Sequence, residues 1–263
     1  MQRQTYRIGL ALSGGSTRGV AHVGVLQALI DYGIEPQILS GTSAGSIIGA
    51  LYASGKSPAE IMEFIRGSNL FRVFRPRWPF NGISDLSYLE ERLDYFIGKD
   101  SFEALQKPLY IICTNLNTGE EVRFFKGDLY QKVVASCSVP LVFKPVEIDG
   151  DLYADGGIMN NLPADCLRQK CDIVIGSNVV PLAFKSSHSL RSFWSIAQRI
   201  FELAPSVNVR HSAHNCDVLI QTADVGSFNF FSLKNADRLF DMGYEAALQQ
   251  VPYIRSLLEK QSK

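Results

Sequence analysis

What this 263-residue sequence lacks first is charge of one sign. Its 26 lysines and arginines are matched by 26 aspartates and glutamates, so no global field draws the chain to nucleic acid or to an anionic surface. Any attraction to a membrane has to be local. Long apolar runs are also lacking: Ile8–Leu12 near the start is too short for a secretion signal or a membrane-spanning helix. The chain therefore reads as unexported and cytoplasmic, with at most peripheral membrane contact. There is no C-x-x-C pair and no cysteine–histidine cluster at zinc spacing. The five cysteines (Cys113, Cys137, Cys166, Cys171 and Cys216) lie mostly in apolar runs and read as buried thiols in a reducing compartment. No G-x-G-x-x-G occurs, and the G-x-x-x-x-G of Gly14 to Gly19 is followed by Val20-Ala21, where a phosphate-binding loop needs lysine and a hydroxyl residue. No metal and no cofactor is expected.

What is present is an ordinary globular composition, 46% hydrophobic and 20% charged, with no repeat and no linker. Tyr6–Leu12 reads as a strand, Ser13–Thr17 as a flexible loop, and Arg18–Tyr32 as a helix stopped by Gly33. A second strand at Ile38–Ser40 leads through Gly41-Thr42-Ser43-Ala44-Gly45 into a second helix ending at Gly55. Capping boxes at Ser57–Glu60 and Ser87–Glu90 each open a helix. Leu109–Asn115 and Glu121–Phe125 form a hairpin, Val146–Ile148 is a short strand, and Asp172–Val180 is a buried strand. Helical spacing returns at Phe193 to Leu203 and from Ala236 to Gln249, with a strand near Val218–Ile220 between them. Phe193-Trp194 and Phe228–Phe231 read as core. The alternation predicts one α/β domain over 1–263, a mostly parallel central sheet sandwiched by helices.

Three segments carry candidate chemistry. Gly41, Thr42, Ser43, Ala44 and Gly45 form G-x-S-x-G between a strand and a helix, the setting of a nucleophile elbow, in which small residues two places either side of the serine allow a sharp turn. The competing reading of Ser43 is a helix N-cap. The loop Gly14, Gly15, Ser16, Thr17, Arg18 and Gly19 also joins a strand to a helix and presents backbone N–H groups to an anion. In a parallel sheet, loops at the carboxyl ends of adjacent strands face one crevice, so the two loops are expected to meet. Asp155-Gly156-Gly157 is either a surface turn or a bend that brings a carboxylate into that crevice.

These segments together resemble the patatin-like phospholipases, a family of lipid acyl hydrolases. Gly14–Gly19 is similar to the family's G-G-G-x-R-G, with Ser16 in place of the third glycine. Gly41–Gly45 matches its elbow, and Asp155-Gly156-Gly157 matches its D-G-G/A motif. Ala135-Ser136, Pro140 and Asn161-Leu162-Pro163 fit as well. The resemblance implies Ser43 as nucleophile, Asp155 as its base, and an oxyanion hole built from Gly14–Gly19, least securely at Ser16, whose Cβ restricts positive φ. It also implies a phospholipase, lysophospholipase or carboxylesterase acting on a lipid or other acyl ester.

Two alternatives stay open. His188, His211 or His214 would complete a Ser–His–Asp triad, whereas His22 reads as a packed or capping residue. The chain is otherwise a regulatory or scaffolding protein of the same fold with weak turnover. Phe71–Phe80 interleaves three arginines with four aromatics and reads either as a membrane-contacting loop or as a core plug with solvated arginines. The sequence does not set an oligomeric state.

Overall fold

The compact apolar run Tyr6–Leu12 forms β1 at the centre of the sheet, in a computed structural model that describes residues 6–67, 86–140, 142–180, 184–222 and 233–260. Strands β2 (Ile38–Thr42), β3 (Leu109–Asn115), β4 (Glu121–Phe124), β5 (Val146–Ile148), β6 (Asp151–Asp155), β7 (Cys171–Asn178) and β8 (Val218–Gln221) complete it. Hydrogen-bonded neighbours follow one another as β5-β6-β3-β2-β1-β7-β8, with β4 on the other edge of β3. The run from β3 to β8 is parallel, while β4, β5 and β6 are antiparallel additions. This is the mostly parallel α/β sheet that the alternating pattern predicts.

Alternate residues of each strand face opposite layers. Leu10, Leu12, Leu39, Ile111, Cys113, Ile173 and Ile175 join the larger core. On that face lie α1 (Val20–Asp31), α2 (Ala44–Ala53), α3 (Pro58–Gly67), α4 (Ser87–Ile97), α5 (Tyr130–Cys137), α8 (Ala236–Leu248) and α9 (Val251–Lys260). Ala11, Ile38, Ile112 and Val174 point the other way, into a thinner core closed by α6 (Asp165–Arg168) and by Val209 of α7 (Phe193–Ser212). Burial on both faces explains why β1 and β7 carry apolar runs without alternation, and why even the polar Ser40 and Thr42 of β2 are buried. Helices α1 and α8 cross at touching backbones: a Cβ added to Gly24 would run into the Phe240 carbonyl, and one added to Gly243 into the Ala21 carbonyl.

Helix boundaries follow local chemistry. Gly33, at φ 72°, ends α1, and the Ile34 N–H closes on the Leu29 carbonyl. The first capping box forms: the Ser57 N–H donates to Glu60 Oε2 and the Glu60 N–H donates to Ser57 Oγ. The second does not, because α4 already starts at Ser87 with Leu86 at its N-cap and no side-chain cap. Helix α7 extends past Leu203, through Pro205, to Ser212. Phe193 is 75% exposed, which corrects its reading as core. The Trp194 side chain, Phe228–Phe231 and the Phe71–Phe80 segment lie outside the described residues. The five cysteines are unpaired, four of them buried.

Candidate active site

Ser43 sits between β2 and α2 at φ 52° and ψ −123°, a conformation that strains any residue with a Cβ by about 1–3 kcal/mol. The neighbourhood over-determines it. The Ser43 N–H donates to Ser136 Oγ (2.9 Å), whose own hydroxyl donates to the Ile112 carbonyl (2.6 Å). From within the next turn Ser46 Oγ donates to the Ser43 carbonyl (2.7 Å). Gly41 and Gly45 serve close approach: a Cβ on Gly41 would strike the Gly45 carbonyl, and one on Gly45 the Leu12 carbonyl. Ser43 thus occupies the N-cap position of α2, but its side chain makes no capping hydrogen bond there.

The pairing of β3 places Asp155 opposite this turn. One edge of β3 pairs with β4 over Ile111–Thr114, so β2, registered Thr42↔Ile112, and β6, registered Asp155↔Cys113, share the other edge. Strand β2 arrives from one end and β6 from the other, and they stop against each other at adjacent positions of β3. The Ser43 hydroxyl, next after Thr42, therefore meets Asp155 and donates to its carboxylate. Asp155 is held by its own N–H to the Ser138 carbonyl (3.0 Å) and by Thr114 Oγ1 donating to its carbonyl (3.0 Å). The Gly157 N–H donates to Asp155 Oδ1 (2.7 Å). Burial pushes the Asp155 carboxyl up to about 6, against the opposing pull of the hydrogen bonds from Ser43 and Gly157.

The first loop closes over the same point. The Cβ position of Gly14 looks onto Asn161 Oδ1 and Ser43 Cβ, and that of Gly19 onto Ala44 Cβ. Thr17 and Arg18 are buried, and the Arg18 N–H donates to the Gly15 carbonyl (3.1 Å). The N–H of Gly14 donates to the Asn161 carbonyl (3.1 Å) and so is already engaged. Ser16 takes φ 53°, the left-handed conformation that its glycine-bearing counterparts reach without strain.

The sequence reads His22 as a packed or capping residue and places Asn161 in a family-like segment, but it does not show that they clamp this loop. His22 is wholly buried. Its Nε2 donates to the Ser13 carbonyl (2.8 Å), which fixes the tautomer, and its Nδ1 accepts from Ser177 Oγ (2.8 Å). Burial lowers its pKa to about 4, against the raising effect of the Ser13 hydrogen bond, and keeps the ring neutral. With the Ser13 N–H bonded to the Ser177 carbonyl, His22 ties the base of the glycine-rich loop to β7. Asn161, also buried, lies between Gly14 and Gly157. Only long-range contacts reveal these roles, and no local signal carries them.

His188, His211 and His214 are exposed, and the hydrogen bonds to Asp155 come from Ser43 and Gly157, not from a histidine. Among the described residues, Glu121, Asp165 and Cys166 form a cluster of metal-ligand type. Its carboxylates are engaged by Arg123 and by Asn160 Nδ2 (3.1 and 2.9 Å), and burial holds the Cys166 thiol up at about 12. The donor set is that of an ion-pair network behind β2, which Thr42 Oγ1 joins through the Asn160 carbonyl (2.8 Å).

An elbow serine against a buried carboxylate beneath a glycine-rich loop, on a sheet of this order, defines a class, and the comparisons agree with it. The patatin-like phospholipase family model matches residues 10–167, and the chain belongs to that family. An NTE family protein of Mycobacterium bovis is 33% identical over 159 residues, 60% of this chain and 44% of the relative. A patatin-like phospholipase domain-containing protein of Caenorhabditis elegans is 35% identical over 212 residues, covering 73% of this chain and 15% of its own length. The chain thus spans less than half the length of these relatives. In fold it is similar to VipD from Legionella pneumophila (TM-score 0.62, 16% identity, 95% of this chain and 67% of that one). It is also similar to human GIVD cytosolic phospholipase A2, solved with a fluorophosphonate inhibitor (TM-score 0.52, 12% identity, 97% and 59%).

Proposed function

We propose that this chain is a serine lipid acyl hydrolase in which Ser43 and Asp155 act as a dyad, within one domain spanning 1–263. The observation that carries the reading is the buried Asp155 carboxylate receiving a hydrogen bond from a serine held at φ 52°. Asp155 takes the Oγ proton as Oγ bonds to the ester carbonyl carbon. It then returns that proton to the departing alcohol as the carbonyl re-forms and an acyl-Ser43 remains. Water attacks the acyl group with Asp155 again as base, and Asp155 passes that proton to Ser43 Oγ as the acyl–oxygen bond breaks and the fatty acid leaves. A carboxyl pushed up to about 6 is a far better base near neutral pH than one at the ordinary value, and its conjugate acid is still strong enough to protonate the leaving group.

The oxyanion that forms in both halves needs donors that are not otherwise engaged. Because the Gly14 N–H serves Asn161, that role falls to the N–H of Gly15 and to the N-terminal N–H groups of α2. Gly14 contributes by letting the loop lie against Ser43, and Thr17, Arg18 and Gly19 hold the loop's shape. The substrate class is a carboxylic ester of a lipid. The unpaired thiols suit a reducing, cytoplasmic setting.

A fluorophosphonate, the reagent class seen in the human neighbour, is expected to label the protein at Ser43 and not to label Ser43→Ala. Asp155→Asn should slow acylation about 100-fold or more, the loss expected for a general base. His188→Gln, His211→Gln and His214→Gln should each stay within about threefold of the parent, since loss of a triad histidine lowers rates by orders of magnitude. A folded histidine variant as inactive as Ser43→Ala would replace the dyad with a triad. Absence of labelling in the parent protein would favour the regulatory reading.

A further inference from the structure

Helix α7 turns an apolar stripe to solvent. Phe193 (75% exposed), Ile196, Ile200 (62%), Leu203 and Val207 (65%) follow one another at steps of three and four residues. At roughly 100° per residue they occupy an arc of about 80° and a length of about 20 Å. The inward side of its C-terminal half carries Pro205, Ser206, Val209 and Ser212, all buried. That half is fastened to the turn that follows Asp155: Asn208 Nδ2 donates to the Ile158 carbonyl (2.8 Å), and Ser212 Oγ donates to Asn160 Oδ1 (3.2 Å). Met159 in the same turn is 41% exposed. The stripe therefore begins in solvent and ends at the rim of the Ser43–Asp155 site.

Charge decides what would cover it. The segment 184–214 holds Lys185, Arg191, Arg199 and Arg210 against Glu202 alone, in a chain whose total charge is zero. By helical position Arg199 and Arg210 flank the stripe on one side, where their stems can lie along apolar matter while the guanidinium groups reach polar head groups. Steps of three and four are also those of a coiled-coil seam, but such a seam is bordered by charges of both signs that pair across it. Two copies of α7 would instead bring arginines together. An anionic lipid surface satisfies both the apolar face and the one-signed flank. No helix among the described residues is long and apolar enough to cross a membrane, so α7 would lie in the interface without spanning it.

We propose that the exposed face of α7 is a docking surface for anionic lipid membranes, which brings the mouth of the Ser43–Asp155 site onto the lipid layer. This deepens the hydrolase reading and rests on it for its purpose, but binding is measurable without turnover. The test uses the full chain with Ser43→Ala, so that nothing is hydrolysed. Co-sedimentation is measured with vesicles of phosphatidylcholine alone and with an equal mixture of phosphatidylcholine and phosphatidylglycerol. Binding to the mixed vesicles should exceed binding to neutral ones by about tenfold and fall about tenfold in Ile200→Ser with Val207→Ser, given the apolar area those residues bury. Arg199→Gln with Arg210→Gln, which leaves the apolar face intact, should remove most of the preference for the anionic lipid. With Ser43 restored, the Ile200/Val207 variant should lose activity on vesicle lipid and keep activity on a soluble short-chain ester. Vesicle binding unchanged in both double variants would overturn the proposal. So would a dimer in sedimentation velocity that the Ile200/Val207 double variant splits into monomers, since a second copy would then cover the stripe. If the parent binds vesicles as expected but hydrolyses no ester, the docking surface stands and the hydrolase reading fails.

Discussion

Asp155 links stability to pH as well as catalysis. Its folded-state pKa of about 6 lies above the ordinary carboxylate value of 3.8, so between these values the folded chain binds more protons than the unfolded one. Its contribution to stability is therefore full at low pH and is lost as pH rises through 6. The gap of about two units corresponds to about 3 kcal/mol, an order-of-magnitude figure, for ionising a group that the fold buries. Asparagine can still accept from the Gly157 N–H and meet Ser43, yet it carries no charge to bury. Asp155→Asn should thus be almost inactive and melt several degrees above the parent at pH 8, with the difference shrinking toward zero as pH is lowered to 4. Melting curves across that range check it, and a variant less stable than the parent at pH 8 would show that the carboxylate stabilises its turn more than its burial weakens the fold. Activity of the parent should rise with pH through about 6 and then level off, because acylation needs the ionised carboxylate.

At the scale of elements, the reciprocal contact of Gly24 and Gly243 sets how closely α1 and α8 approach. Gly243→Ala improves helix propensity by about 1 kcal/mol but drives a methyl group into the Ala21 carbonyl, and overpacking of that kind typically costs about 1–3 kcal/mol. A net loss is expected, seen as a melting temperature lower by a few degrees; an unchanged or raised value would mean that the helices part without penalty. Elements with strong local signals were legible from sequence: β1, β3, β5 and α8 fall within a residue or two of their expected bounds, and the Ser57–Glu60 box forms. Those lacking such signals were not. Helices α5, α6 and α9 carry no cap or clear stop in the sequence, and α7 runs through a proline that local rules take as a terminus. Phe193 reads as core because an aromatic residue beside a helical period usually is. The three motifs of the site were legible because each depends on residue types at fixed short spacing. The engagement of the Gly14 N–H by Asn161 and the clamp from His22 to Ser13 and Ser177 were not, since they join segments far apart in the chain.

For the molecule as a whole, burial makes the thiols inert. Desolvation raises Cys113 well above its ordinary value and Cys216 to about 12, and Cys171, beside charged neighbours, still stands at about 11. Thiolate is the reactive form, so the native protein should react with Ellman's reagent slowly and at one site at most, with five thiols appearing in guanidinium. Rapid native titration of several thiols would mean that the two cores open readily. The abutment of β2 and β6 along one edge of β3 has a different consequence. Residues on a strand can be relocated only in whole steps of about 3.4 Å, each of which also reverses the face a side chain points to. The separation of Ser43 from Asp155 is therefore quantised. Point substitutions around the site can adjust its polarity, but a single inserted or deleted residue in β6 would carry the carboxylate a full step along the ruler and onto the opposite face of the sheet. Loops on this plan can change length without moving the pair, whereas the residues between Asp151 and Asp155 cannot change in number without doing so.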